Sequence, residues 1–216
     1  MKTVKLDEFQ QDKKIRREVL QALERGGLVC MPCNGTYRIL ADLQDVDAVT
    51  KLFQSKRRVR KAPALVFISD RSMLSDVCDD VEPVTAKLAE SLWPGPLTLL
   101  IPTHRNLPKQ ITKQLDGGRG NKVGVRIPEQ AWLRALIKEF GRPLLVSSAN
   151  RERKGGETSP AQIRKNFTRE VDYFIEDGEL QSNGGSTVVE IVDGEARIVR
   201  AGSLEEKFIH ECVASL

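Results

Sequence analysis

Five short stretches of this chain set cations or small hydrogen-bonding side chains where apolar segments end. Lys56-Arg57-Arg58 follows a helical pattern and, with Arg60 and Lys61, puts five cations within six positions. Trp93-Pro94-Gly95-Pro96-Leu97-Thr98 reads as a rigid turn into a strand, and Val123 to Pro128 carries Arg126 at a strand end. Ser147-Ser148-Ala149-Asn150 closes the apolar run Leu144 to Val146, while Ser186-Thr187 opens a late β-rich run that ends in Arg200-Ala201-Gly202. Taken singly, each has an ordinary reading as a solvated face, a packed turn or a cap. Taken together they are cations, hydroxyls and amides at strand ends, where open α/β sheets bind ligands. Such groups surround a polyphosphate well, because charge-assisted hydrogen bonds match its many oxygens.

Other chemistries are poorly supported. There is no Gly-x-x-x-x-Gly-Lys-Ser/Thr loop, and Gly117-Gly118-Arg119-Gly120 neither follows a strand nor opens a helix. Cys30-Met31-Pro32-Cys33 has redox or zinc spacing, but Cys78, Cys212, His104 and His210 are scattered and form no second pair. Packing is the better account of that pair. With two histidines, in a Pro/Arg-rich loop and near the C-terminus, a Ser-His-Asp or Cys-His site is not expected.

The elements that must position these groups alternate between helix and strand. Ile15, Val19, Leu20 and Leu23 have helical spacing, and Gly26-Gly27 stops the helix. Leu28 to Met31 reads as a strand ended by Pro32, and a helix follows Asp45 with Val46, Val49, Leu52 and Phe53 on one face. Strands are expected at Ala64–Ile68, Leu97–Ile101, Val123–Ile127, Leu144–Ser147, Thr187–Val192 and Arg197–Arg200. Helices are expected at Val84–Leu92, around Trp132–Ile137 and from Pro160. Asp193-Gly194 between the last two strands is a hairpin signal. The class is α/β, read as a single domain over residues 1–216.

Composition agrees. The chain has 216 residues, 34 Lys plus Arg against 30 Asp plus Glu, a net charge of +4, and 40% hydrophobic residues. That is enough apolar material for a core, and no apolar run approaches membrane-spanning length. The N-terminus has no apolar signal core, and four cysteines do not form a disulfide framework, so a cytoplasmic setting without membrane attachment is expected.

In these residues the chain resembles the YrdC family, whose best-known members are threonylcarbamoyl-AMP synthases. The likeness runs from about Gly26 to Gly202 and rests on K-x-R as Lys56 and Arg58, W-P-G-P-x-T as Trp93 to Thr98, V-R-x-P as Val125 to Pro128, S-x-N as Ser148 and Asn150, and S-T-V-V as Ser186 to Val189. The resemblance implies a twisted mixed sheet with flanking helices around a deep basic cavity. It implies a reaction of ATP, bicarbonate and L-threonine, or a related amino acid, giving a carbamoyl-adenylate and pyrophosphate for modification of adenosine 37 of tRNA. Lys56 and Arg58 would be catalytic, and ATP would lie against Lys56, Arg58, Ser148, Asn150, Arg126, Ser186 and Arg200, with Mg²⁺. Ser148 and Asn150 would act as hydrogen-bond donors. Two anions must meet in that reaction, so clustered cations are what the Coulomb cost demands.

One segment departs from the family pattern. Where the family has something like P-T-D-T-V-Y-G-L, this chain has Pro32-Cys33-Asn34-Gly35-Thr36-Tyr37-Arg38-Ile39. The resemblance makes Cys33, Asn34, Gly35 and Arg38, with Thr98, the amino-acid pocket. Arg38 is disfavoured if the usual glycine has positive φ. Arg38 then faces solvent, pairs with a substrate carboxylate, or marks a YciO-like paralogue with little synthase activity. In that last reading the protein is an RNA-binding or regulatory module. Its Lys56–Lys61 run then tracks the phosphates of tRNA or double-stranded RNA. In either reading tRNA-modification proteins are candidate partners.

Overall fold

The alternating segments close into one sheet. In this computed structural model, residues 1–56, 64–78, 80–102, 107, 109–115, 122–151 and 157–214 are described. Arg58, like Arg57, Arg60, Lys61 and His104, lies outside them. The strands are β1 (Lys2–Lys5), β2 (Val29–Cys33), β3 (Thr36–Asp42), β4 (Leu65–Phe67), β5 (Leu97–Pro102), β6 (Lys122–Arg126), β7 (Leu144–Ser148), β8 (Tyr173–Glu176), β9 (Thr187–Val192) and β10 (Glu195–Arg200). The helices are α1 (Leu6–Gln11), α2 (Lys13–Glu24), α3 (Val46–Ser55), α4 (Pro83–Leu92), α5 (Lys109–Leu115), α6 (Ala131–Phe140), α7 (Pro160–Phe167) and α8 (Glu206–Ala214). The sheet order is β1-β8-β2-β3-β7-β4-β6-β5-β9-β10, with parallel and antiparallel pairs mixed.

Side-chain alternation splits the apolar residues into two clusters, one on each face of the sheet. The first takes Tyr37, Ile39, Val66, Leu99, Val125 and Val189 from the strands and packs them against α3, α4, α5, α7 and α8. The second joins Val29, Met31, Leu40, Phe67 and Val146 to α1, α2 and α6. No residue of β5, β6, β9 or β10 belongs to this second cluster. On those strands the second face carries Thr98, Gly124, Arg126 and, beyond an irregularity in β10, Arg200. Gly124 keeps that face open, since a Cβ there would stand 2.8 Å from Thr98 Cγ2.

Several elements differ from the sequence expectation. β1, β3 and β8 lie outside the strands that the sequence pattern marks. β3 is buried on both faces and lacks clean alternation, and β1 and β8 are only four residues each. The strand at Leu28–Met31 does not stop at Pro32. It runs to Cys33 and turns through Asn34 (φ 50°) and Gly35 (φ 72°) straight into β3. Asn-Gly with both residues at positive φ is the tight hairpin turn whose twist matches the strands. The Asp193-Gly194 hairpin forms as expected, at φ 53° and 80°.

Gly35 is constrained twice, because a Cβ there would also fall 2.0 Å from the Gln181 carbonyl oxygen. Gly178 has a similar φ of 69° but open space around it. Urea unfolding should therefore show Gly178→Ala costing about 1 kcal/mol. Gly35→Ala should cost roughly 3 kcal/mol or more, the excess reporting the steric overlap.

Candidate functional site

Helix α3 delivers Lys56. Asp45 caps the helix by accepting from the Asp47 and Ala48 amides, and Ala48, Val49 and Leu52 bury its inner side. Lys56 closes the helix and is itself buried, at 8% exposure. Its ammonium donates to the Ser148 carbonyl, to Ser148 Oγ at 3.0 Å and to Asn150 Oδ1 at 3.1 Å. The lysine of K-x-R and the pair of S-x-N, 92 and 94 residues on, thus meet at the end of β7. Ser148 Oγ spends its proton on Asn150 Oδ1 at 2.6 Å. Toward Lys56 both oxygens therefore act as acceptors, while the Asn150 amide nitrogen keeps its two donors.

A second group gathers on the open half of the second face. Arg126 ends β6 at 2% exposure, and its Nε donates to the Gly95 carbonyl at 2.8 Å. The Gly95 amide returns a bond to the Ile127 carbonyl, and Trp93 Nε1 donates to the Leu97 carbonyl at 2.8 Å. The Trp-Pro-Gly-Pro turn therefore exists to present a carbonyl to Arg126. Glycine is needed within it, because a Cβ on Gly95 would lie 2.3 Å from the Leu92 oxygen. Beside the turn, Thr98 Oγ1 and Ser186 Oγ share a hydrogen bond of 2.8 Å. Arg200, exposed at the rim, donates to the Ser186 carbonyl at 2.8 Å. Gly202 packs against the Ser186–Thr187 peptide, where a Cβ would approach within 2.3 Å.

The hairpin tip completes the group. Arg38 pairs with Ser148 in register, so their side chains share a face and connect the Lys56 cluster to the arginines. Arg38 is half-buried and lies in ordinary strand conformation, so neither the solvent-facing reading nor backbone strain applies. Asn34 Nδ2 donates to Glu129 Oε2 at 2.7 Å, and the Cys33 thiol reaches Asn34 Oδ1 and Gln130 Oε1. Cys30 packs in the opposite cluster, so the strand's alternation separates the two thiols of the C-x-x-C pair.

The electrostatics show what is missing. Burial is the main cause lowering the pKa of both Arg38 and Arg126; Arg200 lowers each further, and Arg38 also lowers that of Arg126. Burial raises that of Cys33, against the pull of Arg126 and Arg38. A guanidinium does not deprotonate, so burial leaves positive charge that Glu129 and Glu157 balance only in part. Arg126 Nη2 is buried with no hydrogen-bond partner, and Glu129 stands 3.7 Å off and half exposed. An anion would satisfy both deficits. The donor set does not suit Mg²⁺: it is cationic, and no group of three or more His, Cys, Asp or Glu among the described residues could hold a metal.

Comparison with known proteins agrees with this geometry. The family model described as telomere recombination, Sua5/YciO/YrdC, matches residues 21–202. The chain belongs to the Sua5/YciO/YrdC family. Threonylcarbamoyl-AMP synthase of Pyrococcus abyssi is 28% identical over 194 residues, covering 90% of this chain and 56% of that protein. The synthase of Pseudoalteromonas translucida is 25% identical over 185 residues, covering 85% and 96%. Pyrococcus abyssi Sua5 complexed with L-threonine superposes with a TM-score of 0.81 at 28% identity, over 93% of this chain and 58% of that one. Escherichia coli YciO shares the fold, with a TM-score of 0.78 at 21% identity over 91% and 93%. The chain spans about half the length of the synthases from Pyrococcus abyssi and Bacillus subtilis, at 56% and 55%.

Thermal unfolding with inorganic pyrophosphate checks the anion deficit. At pyrophosphate about 100-fold above its Kd, Tm should rise by about 5–10 °C. Arg126→Met should lose most of that rise, while its Tm without anion stays level or increases, because an apolar side chain carries no buried charge.

Proposed function

We propose that this protein is a nucleotidyltransferase of the threonylcarbamoyl-AMP synthase type. It condenses ATP, bicarbonate and an amino acid of the L-threonine kind into a carbamoyl-adenylate plus pyrophosphate, a product that serves modification of tRNA adenosine 37 in the cytoplasm. The observation that carries this reading is the convergence of Lys56, Ser148 and Asn150 beside buried, under-neutralised Arg126. Among the described residues no helix is long and apolar enough to cross a membrane. The synthase names and the threonine complex of related proteins support the substrate class.

In this proposal Lys56, held by Ser148 and Asn150, faces the phosphates together with Arg58, which lies outside the described residues. Arg126, Ser186 and Arg200 line the rest of the nucleotide site. Thr98 and Ser186 share a hydrogen bond, so the nucleotide and amino-acid subsites adjoin. The amino group adds to carbon dioxide, and an oxygen of the resulting carbamate attacks the α-phosphorus while pyrophosphate departs. Lys56 and Arg126 lower the repulsion between carbamate and triphosphate and stabilise charge on the leaving group. Holding both anions in contact also removes the entropy of bringing them together. Mg²⁺, where used, rides on the triphosphate rather than on protein carboxylates.

Pyrophosphate release should require ATP, bicarbonate and an amino acid together. Lys56→Ala should lower kcat/KM by about 100-fold or more, the loss expected when one charge-stabilising donor is removed. Ser148→Ala should lower it by about 10-fold, since it frees Lys56 without removing the charge. Circular dichroism and Tm should show both variants folded; wild-type rates in either variant would refute the assignment.

A further inference from the structure

Beside the arginines stands one unmatched acceptor, the Glu157 carboxylate. Its Oε2 is buried with no hydrogen-bond partner, and it attracts Arg38 from beyond ion-pair distance. Backbone pairing fixes where it stands. Beyond the last β3–β7 pair, the Tyr37 carbonyl accepts from the Ala149 amide, and the Tyr37 amide donates to the Glu157 carbonyl at 2.5 Å. Glu157 thus takes the place beside β3 that β7 has left, just past the S-x-N segment. Its neighbours Thr158 and Ser159 bond to the Leu180 amide and the Glu179 carboxylate, which hold the stretch from its other side.

A carboxylate oxygen accepts and cannot donate. Phosphates and an amino acid's own carboxylate are acceptors too, so Glu157 Oε2 needs a group that bears a proton. Arg38 stands opposite Ser148, whose oxygens hold Lys56, so the carboxylate that attracts it lies toward the end of the site given to the triphosphate. A negative group there raises the Coulomb cost of binding phosphates, and serves the reaction only through some other substrate group. In the synthase reaction one group at that end must lose a proton: the amine, as it bonds to carbon dioxide. Arg38 forms no hydrogen bond or ion pair among the described residues. Two opposite charges held apart, each with free hydrogen-bonding capacity, match the carboxylate and amine that share an α-carbon.

We infer that Glu157 accepts from the α-amino group of the amino acid and takes the proton that this nitrogen sheds as the carbamate forms. The inference rests on the synthase reading and adds a general base to it. The nitrogen lone pair bonds to the carbon of carbon dioxide, drawn from bicarbonate, while one C–O π pair moves onto oxygen. The N–H pair stays on nitrogen as its proton passes to Glu157 Oε2. That leaves a carbamate and a neutral carboxyl, which returns the proton to solvent. The later attack on the α-phosphorus transfers no proton and makes no use of Glu157.

The two steps can be read separately. Pyrophosphate release from ATP, bicarbonate and L-threonine follows both, whereas ATP synthesis from threonylcarbamoyl-adenylate and pyrophosphate runs the second step alone, backwards. Glu157→Gln keeps the shape of the side chain and should lower kcat/KM for threonine by about 100-fold or more, the range of a lost general base. ATP synthesis from the adenylate should stay within about threefold of wild type, as should affinity for a non-hydrolysable ATP analogue, well under the loss of one charge-assisted contact. Glu157→Asp, a base set back by one methylene, should recover part of the forward rate. Wild-type forward rates in Glu157→Gln, or equal losses in the two directions, would overturn the inference and leave the synthase reading standing. Weaker analogue binding would do the same, by placing Glu157 on a ribose hydroxyl or the adenine amine. No pyrophosphate release by wild type with any amino acid would overturn both.

Discussion

The structure turns on a buried guanidinium without enough counter-charge. Arg126 ends a strand at 2% exposure, held by one backbone carbonyl and a long ion pair to Glu129, and within electrostatic range of two further arginines. An isolated buried cation is among the costlier arrangements a protein can hold, and removing its few partners costs more than the pair gains. The surrounding sequence is consistent with that constraint. The Trp-Pro-Gly-Pro turn offers the Gly95 carbonyl, Gly124 leaves room on the sheet, and Glu129 is supplied by the link to α6. A face built this way is stable enough to fold yet remains short of negative charge, which is the condition of an anion-binding surface.

The two halves of the second face explain how one sheet serves both stability and function. Helices α1, α2 and α6 cover the side from β1 to β4, where Val29, Met31, Leu40 and Phe67 bury against them. β6, β5, β9 and β10 contribute nothing to that cluster, and the groups they place on that face include Thr98, Leu100, Gly124, Arg126 and Arg200. The opposite face is apolar along nearly the whole sheet. The core on one side therefore holds the strands in register while the other side is free to carry polar groups. Stability and chemistry are divided by the period-two alternation of the strands.

The candidate site was only partly legible beforehand. Lys56, Ser148, Asn150, Arg126, Ser186 and Arg200 were singled out by residue type and by the family's short motifs, and the fold brings them to two adjoining clusters. Their hydrogen bonding was less visible. Ser148 and Asn150 read as donors because hydroxyl and amide groups can donate, and the buried ammonium beside them also uses their oxygens as acceptors. Nothing local in the sequence marks Glu129 and Gln130 as site residues. They sit in a polar link whose only signal was proximity to Arg126 in the chain, and they matter because that link reaches the β2–β3 hairpin.

Local chemistry determined the α/β class, the helix ending at Gly26-Gly27, the Asp193-Gly194 hairpin and the set of cations and hydroxyls at segment ends. Each depends on neighbours within a few positions, through periodicity, positive φ or capping. Asn34-Gly35 carried the same kind of turn signal, but the neighbouring Pro32 and the poorly alternating β3 obscured it. Only the tertiary structure decided that Arg38 comes within electrostatic range of Arg126 and Arg200, that Cys30 and Cys33 part to opposite faces, and that Lys56 meets residues more than ninety positions away. Those outcomes depend on strand order and on which face each strand turns to the core, and burial energy summed over the whole sheet sets both.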